Sequence, residues 1–323
     1  MVADDIGDLD GALPRLTAIL KRAPRDIGTL ETLARIHRRL GRHEDLLQVN
    51  VQQLAVTDED AKVSLLVSMG DLAERELGKP EVAIRWFRQA LDLDPEHALA
   101  GAAVGRLLRA TGDYRELSKV LTAELGSRTD PRDVARLSVQ LGEVHEVHLG
   151  DPKAATEAYR RALETIAGYR PAVDALIRVY GAQQDHKELA SMLALAAEDA
   201  GDPRLALEAE LLAATIRAER LNKGDEAAAT IEAIVDRDPQ NIAALRALES
   251  LYVDADAVGP LANVLTRQAD VLAHREGRVA ALVARGRLLE QAPGDDFDGT
   301  IRSVCTAVLA ADPANDWALA ALA

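Results

Sequence analysis

Apolar and small residues recur every three or four positions along nearly the whole chain, most clearly from Gly70 to Pro95, GDLAERELGKPEVAIRWFRQALDLDP. Leu72, Ala73 and Leu77 mark one helical face, and Val82, Ala83, Trp86, Phe87, Ala90 and Leu91 mark a second. Gly78, Lys79 and Pro80 break the pattern between them, which predicts two helices joined by a tight turn. Such a hairpin leaves its apolar faces uncovered unless another packs against it, and the chain supplies others by repetition.

Read the same way, the sequence predicts a lone helix near Asp8 to Arg22, eight hairpins between about Asp26 and Ala311, and the start of another helix at Asp316. Pro24, Pro95, Pro239 and Pro313 each close a helix, while Phe87, Tyr159 and Ile231 lie 72 residues apart. The turns at Gly41, Gly112 and Gln184 form an alternate set, so the repeating unit reads as a pair of hairpins. Second helices begin with Ala83, Ala155 and Ala227 in one set and with Leu46, Leu117, Leu189 and Leu261 in the other, which predicts alternating close and wide helix contacts. Asp-Pro at Asp94, Asp130, Asp151, Asp202, Asp238 and Asp312 supplies cap signals at the joints.

Met69-Gly70 with Ala83, Phe87, Ala90 and Pro95, and Leu141-Gly142 with Ala155, Tyr159 and Ala162, resemble the tetratricopeptide repeat, in which small residues, an aromatic and a proline stand at fixed offsets. The alternate hairpins match less well, with Leu117 and Leu121, or Leu189 and Leu193, where alanine and phenylalanine are expected. The resemblance implies an all-α fold, a right-handed α-solenoid of about eight to nine hairpins running through residues 1–323 as a single domain. It also implies that the first helix of each hairpin lines a concave groove. Both ends read as cut, with Leu13, Leu16 and Leu20 expected to be bare at one side and Trp317, Leu319 and Leu322 at the other, so the chain is expected to be a fragment of a longer repeat protein.

Composition narrows the function. Aromatics are only 3% of the chain, so alanine and leucine must do most of the packing. The net charge of −15 repels phosphate overall and argues against nucleic acid as a partner. The only cysteine is Cys305, which rules out an intrachain disulfide and agrees with a cytoplasmic location. No apolar run approaches a membrane span, and the acidic start MVADDIGDLDG does not look like a signal peptide.

The candidate binding surface is a row on the first helices. Arg35, Asp71, Arg106, Glu143 and Arg178 alternate in sign over five hairpins, and Arg38, Arg39, Glu74, Arg109 and Glu146 extend the alternation nearby. Two readings stand side by side: neighbouring helices satisfy each other's charges, or the arginines hold carboxylates of an extended peptide. The clamp by which some members of the family hold a chaperone's terminal carboxylate uses lysines and asparagines. That function is not carried over, because Asn50, Asn222, Asn241, Asn263 and Asn315 fall in turns or second helices.

Other chemistry-bearing residues have simpler readings. His145 and His148 stand in HEVH, one residue short of the zinc motif's spacing, and His145 takes a core position, as His37 does. Cys305 occupies the slot of Phe87 and Tyr159 and is expected to be buried and inert. Trp86 reads as core with a partly exposed edge, and the acid pairs Asp4-Asp5 and Asp295-Asp296 as solvated tail and loop. No phosphate-binding glycine loop or nucleophile elbow is present, so no cofactor, metal or catalysis is expected. The sequence therefore predicts a non-enzymatic scaffold that binds a protein or peptide in the groove. The alternative is a structural module stacking end to end through its open terminal repeats, a homo-oligomer.

Overall fold

The computed structural model describes residues 9–291 and 297–323, apart from the side chains of Asp60, Phe297 and Asp298. Asp4-Asp5 and Asp295-Asp296 lie outside the described residues. Every element among those described is helical. A lone helix α1 (Leu9–Arg22) precedes eight hairpins. They are α2 (Ile27–Arg39) with α3 (His43–Leu54), α4 (Glu59–Arg75) with α5 (Pro80–Leu93), α6 (Ala98–Thr111) with α7 (Tyr114–Ser127), and α8 (Pro131–Glu143) with α9 (Pro152–Thr165). Then come α10 (Arg170–Gln183) with α11 (His186–Glu198), α12 (Pro203–Leu221) with α13 (Gly224–Arg237), α14 (Ile242–Asp254) with α15 (Val258–Val271), and α16 (Arg275–Gln291) with α17 (Phe297–Ala311). The last element is α18 (Asp316–Leu322), so the expected helix, eight hairpins and further helix are all present.

The strongest helix contacts join neighbours in sequence, α4 with α5 and α11 with α12 foremost, as in a helical-repeat solenoid. The chain divides into two compact units, residues 1–129 with 143–151 and residues 130–142 with 152–323. In the first, Leu30, Leu33, Ile36 and Leu46 form a core that takes in Leu13 from α1. Leu13 is therefore buried against α2 and α3, contrary to the expectation that it would be bare; Leu319 and Leu322 on α18 are exposed as expected. In the second unit, Ala155, Tyr159, Ala162, Leu176 and Tyr180 form one cluster and Ile231, Ile234, Leu245 and Leu248 another.

Two kinds of turn join the two helices within the hairpins. After α2, α6 and α10 the chain turns through Gly41, Gly112 and Gln184 with positive φ, and the next amide reaches back five residues, Arg42 to His37, Asp113 to Leu108 and Asp185 to Tyr180. After α4 and α12 the amides of Lys79 and Lys223 reach back six, to Ala73 and Arg217. After α8 the widening spreads over a full π-helical stretch, Val144–Leu149, closed by Asp151 to His145. The second helices start on proline in α5 and α9, where a missing N–H costs nothing. Asp26, Asp113, Asp185, Asp202 and Asn241 cap the helices they precede, accepting backbone N–H groups that would otherwise lack a partner.

Candidate functional site

Nine of the ten charged candidates fall in the first unit: Arg35, Arg38 and Arg39 on α2, Asp71 and Glu74 on α4, Arg106 and Arg109 on α6, Glu143 at the end of α8 and Glu146 in the π-helical stretch. Arg178 lies on α10 in the second unit. Arg106 and Glu74 meet as a fork: both terminal nitrogens of Arg106 donate to the two carboxylate oxygens of Glu74. Glu74 is 19% exposed and Arg106 57%, so the carboxylate is held in the helix face while the guanidinium stays open to solvent. The Arg106 hydrogen bonds keep the Glu74 carboxyl below its ordinary range, against the opposing effect of burial. The Arg106 guanidinium is raised in turn, chiefly by its bonds to Glu74 and to a lesser degree by the charges of Glu74 and Asp71. Asp71 sits 3.9 Å from Arg75, one turn along the same helix. Arg35, Arg109, Glu146 and Arg178 also have interaction partners. The alternating row is thus, in part, internally paired.

His145 and His148 are both engaged by α7. His145 Nε2 lies 3.1 Å from the Ser118 hydroxyl, and His148 stacks on Tyr114 with ring centroids 3.6 Å apart and planes 3° from parallel. Their spacing thus falls in a π-helical stretch that helical periodicity did not predict. No group of three or more metal-ligating side chains occurs among the described residues. Cys305 is buried, and burial first, then the charge of Glu290, pushes its thiol up, away from the reactive thiolate.

The glycines opposite the second helices set the closest packing. A Cβ on Gly70 would lie 2.7 Å from the Phe87 ring, and one on Gly142 would overlap the Tyr159 ring. In the eighth hairpin Cys305 is too small for that role, and Gly286 is met by the Trp317 indole from α18. Trp317 is thereby a core residue in part, a role the sequence reading did not assign.

Side chains that tie second helices to one another also escaped that reading. Arg88 on α5 donates to Glu116 on α7 at 2.9 Å, and Arg160 on α9 to Glu188 on α11 at 3.1 Å. The equal spacing of 28 residues in both pairs was visible in the sequence.

Sequence models of the tetratricopeptide repeat match residues 29–64, 63–97 and 102–135. No curated protein matches the chain. Among solved structures, a chain of Naa15/Naa10 bound to HypK-THB is 17% identical with a TM-score of 0.46, covering 97% of this chain and 51% of that one. This chain thus spans about half the length of that relative. YrrB, described as a tetratricopeptide-repeat protein with an unusual peptide-binding site, is 22% identical over 61% of this chain and 96% of its own, with a TM-score of 0.36. A tetratricopeptide repeat protein from Parabacteroides merdae is 13% identical over 80% of this chain and 97% of its own, with a TM-score of 0.37. No helix among the described residues is long and apolar enough to cross a membrane.

Proposed function

This chain is a tetratricopeptide-repeat protein, and from that premise we propose that it is a non-enzymatic scaffold of the cytoplasm, binding a partner protein through an extended segment laid across its first helices. The observation that carries the reading is the Arg106–Glu74 fork, whose guanidinium is open to solvent. The Arg106 side chain is 57% exposed and the fork uses two of its five N–H donors, so a partner's carboxylate can bind the outward donors beside Glu74. Arg35, Arg38, Arg39 and Arg109, exposed on α2 and α6, supply further positive charge in the same unit. The net charge of −15 supports a protein rather than a nucleic acid as partner.

The test is fluorescence anisotropy with extended peptides carrying spaced Asp and Glu, each compared with its Asn and Gln counterpart. Wild type is expected to prefer the acidic peptides, with affinity falling as salt rises, and Arg35→Glu with Arg106→Glu and Arg109→Glu is expected to lose the preference. Equal binding of acidic and amide peptides would refute the reading. Self-association is a second reading, favoured by the exposure of Leu319 and Leu322 on α18; light scattering that shows a monomer at every concentration would dismiss it.

A further inference from the structure

Neighbouring second helices are tied across the first helix that separates them. Arg88, ninth in α5, donates through Nη2 to Glu116, third in α7, at 2.9 Å. Arg160, ninth in α9, repeats this with Glu188, third in α11, at 3.1 Å. Its Nε also donates to the hydroxyl of Tyr180, eleventh in α10, at 2.8 Å, and its guanidinium lies 5.8 Å from that ring's centre.

At α1 and α3 the same helix positions hold Thr17 and Asp45, with His37 on α2 where α10 has Tyr180. Thr17 is too short to bridge, and its hydroxyl donates to the Leu13 carbonyl at 2.8 Å. A cleft of about 730 Å³ remains, lined by Leu13, Thr17, His37, Asp45 and Val49 among others. His37 has a side chain only 12% exposed, and its Nδ1 is buried with no hydrogen-bond partner. Asp45 Oδ2 is 3.8 Å from that nitrogen, beyond hydrogen-bond reach. Burial, opposed by Asp45 and reinforced by Arg42, lowers the His37 pKa and favours the neutral ring, which has an acceptor nitrogen to offer. Two cations also line the cleft: Arg42, which is held by Asp10 at 2.7 Å, and Lys21.

We propose that this cleft receives a guanidinium from outside the chain, an arginine side chain of a partner, seated between Asp45 and His37 as Arg160 is seated between Glu188 and Tyr180. Three features select that group. Asp45 offers a carboxylate that is 53% exposed, His37 offers a second acceptor, and Leu13 and Val49 offer apolar surface for the methylene stem. An ammonium has no planar fork with which to reach both acceptors. The cleft is lined by none of the charged residues of the first-helix row, so the proposal stands or falls independently of that row.

The test follows N-acetyl-arginine N-methylamide by amide NMR of the full chain, beside its citrulline and lysine counterparts. Saturable shifts are expected in α1, α3 and around His37, with the citrulline and lysine probes at least about ten-fold weaker. Asp45→Asn is expected to weaken the arginine probe by a similar factor. Thr17→Arg is expected to rebuild the tie seen at Arg88 and Arg160, blocking the probe while the melting temperature holds or rises. Equal binding of the three probes, wild-type affinity in both variants, or shifts confined to other helices would overturn the proposal.

Discussion

Gly70 shows how one atom sets a helix contact. Its missing Cβ is what lets the Phe87 ring lie against α4, and Gly142 does the same for Tyr159. A rigid ring in a filled core has no easy retreat, so Gly70→Ala is expected to lose roughly 1–3 kcal/mol by overpacking. Gly101, on α6 with nothing within 4 Å of its Cβ position, is the control: Gly101→Ala is expected to gain about 0.5–1 kcal/mol from helix propensity. Urea denaturation of both variants checks the pair, and equal effects would refute the contact argument. Small residues facing an aromatic were legible in the sequence at Gly70 and Gly142. Trp317 against Gly286 was not, because the aromatic comes from the following helix after Cys305 fails to fill the space.

Charge at single residues gives a pH dependence of known sign. Glu74 is held below its ordinary value of 4.5 by Arg106, so its folded pKa lies under its unfolded one. The stabilisation it provides is present above the unfolded value and is lost as pH falls through the folded one. Glu74→Gln is therefore expected to flatten the acid limb of a stability profile followed by circular dichroism. An acid limb identical to wild type would mean that the fork contributes nothing.

Helices and turns were the most legible level, because a 3.6-residue apolar period broken by Gly, Asp-Pro or Asn states both the element and its end. The π-helical stretch at Val144–Leu149 was not legible, since six residues are too few to separate its period from that of an α-helix. The ties between second helices were less legible for a different reason: Arg88–Glu116 and Arg160–Glu188 repeat at one spacing, but a pair 28 residues apart meets only once the intervening first helix is packed between them. At this level packing is local. Ala155, fully buried on α9 in the cluster with Ala135 and Val139, has no room for a larger side chain. Ala155→Leu is expected to cost about 1–3 kcal/mol and to raise hydrogen exchange in α8, α9 and α10 first. Exchange rising evenly through all eight hairpins would contradict a repeat architecture with local cooperativity.

For the chain as a whole, the sequence carried the repeat architecture and the charged row, but not which charges pair. Pairing depends on side-chain reach: Arg106 finds Glu74 on the neighbouring first helix, whereas Asp71 also lies 3.9 Å from Arg75 on its own helix. On the proposed reading, a row that is partly self-paired and still open to solvent meets a partner's carboxylates and sets register and association rate more than raw affinity. The most direct measurement is affinity capture from a native cell extract with wild type, the Arg35→Glu, Arg106→Glu and Arg109→Glu variant, and an Arg85→Glu control on the exposed face of α5, all checked for folding. If the first-helix row is the binding surface, a protein retained by wild type and by the control is lost from the triple variant. Retention of the same protein by all three would contradict the account.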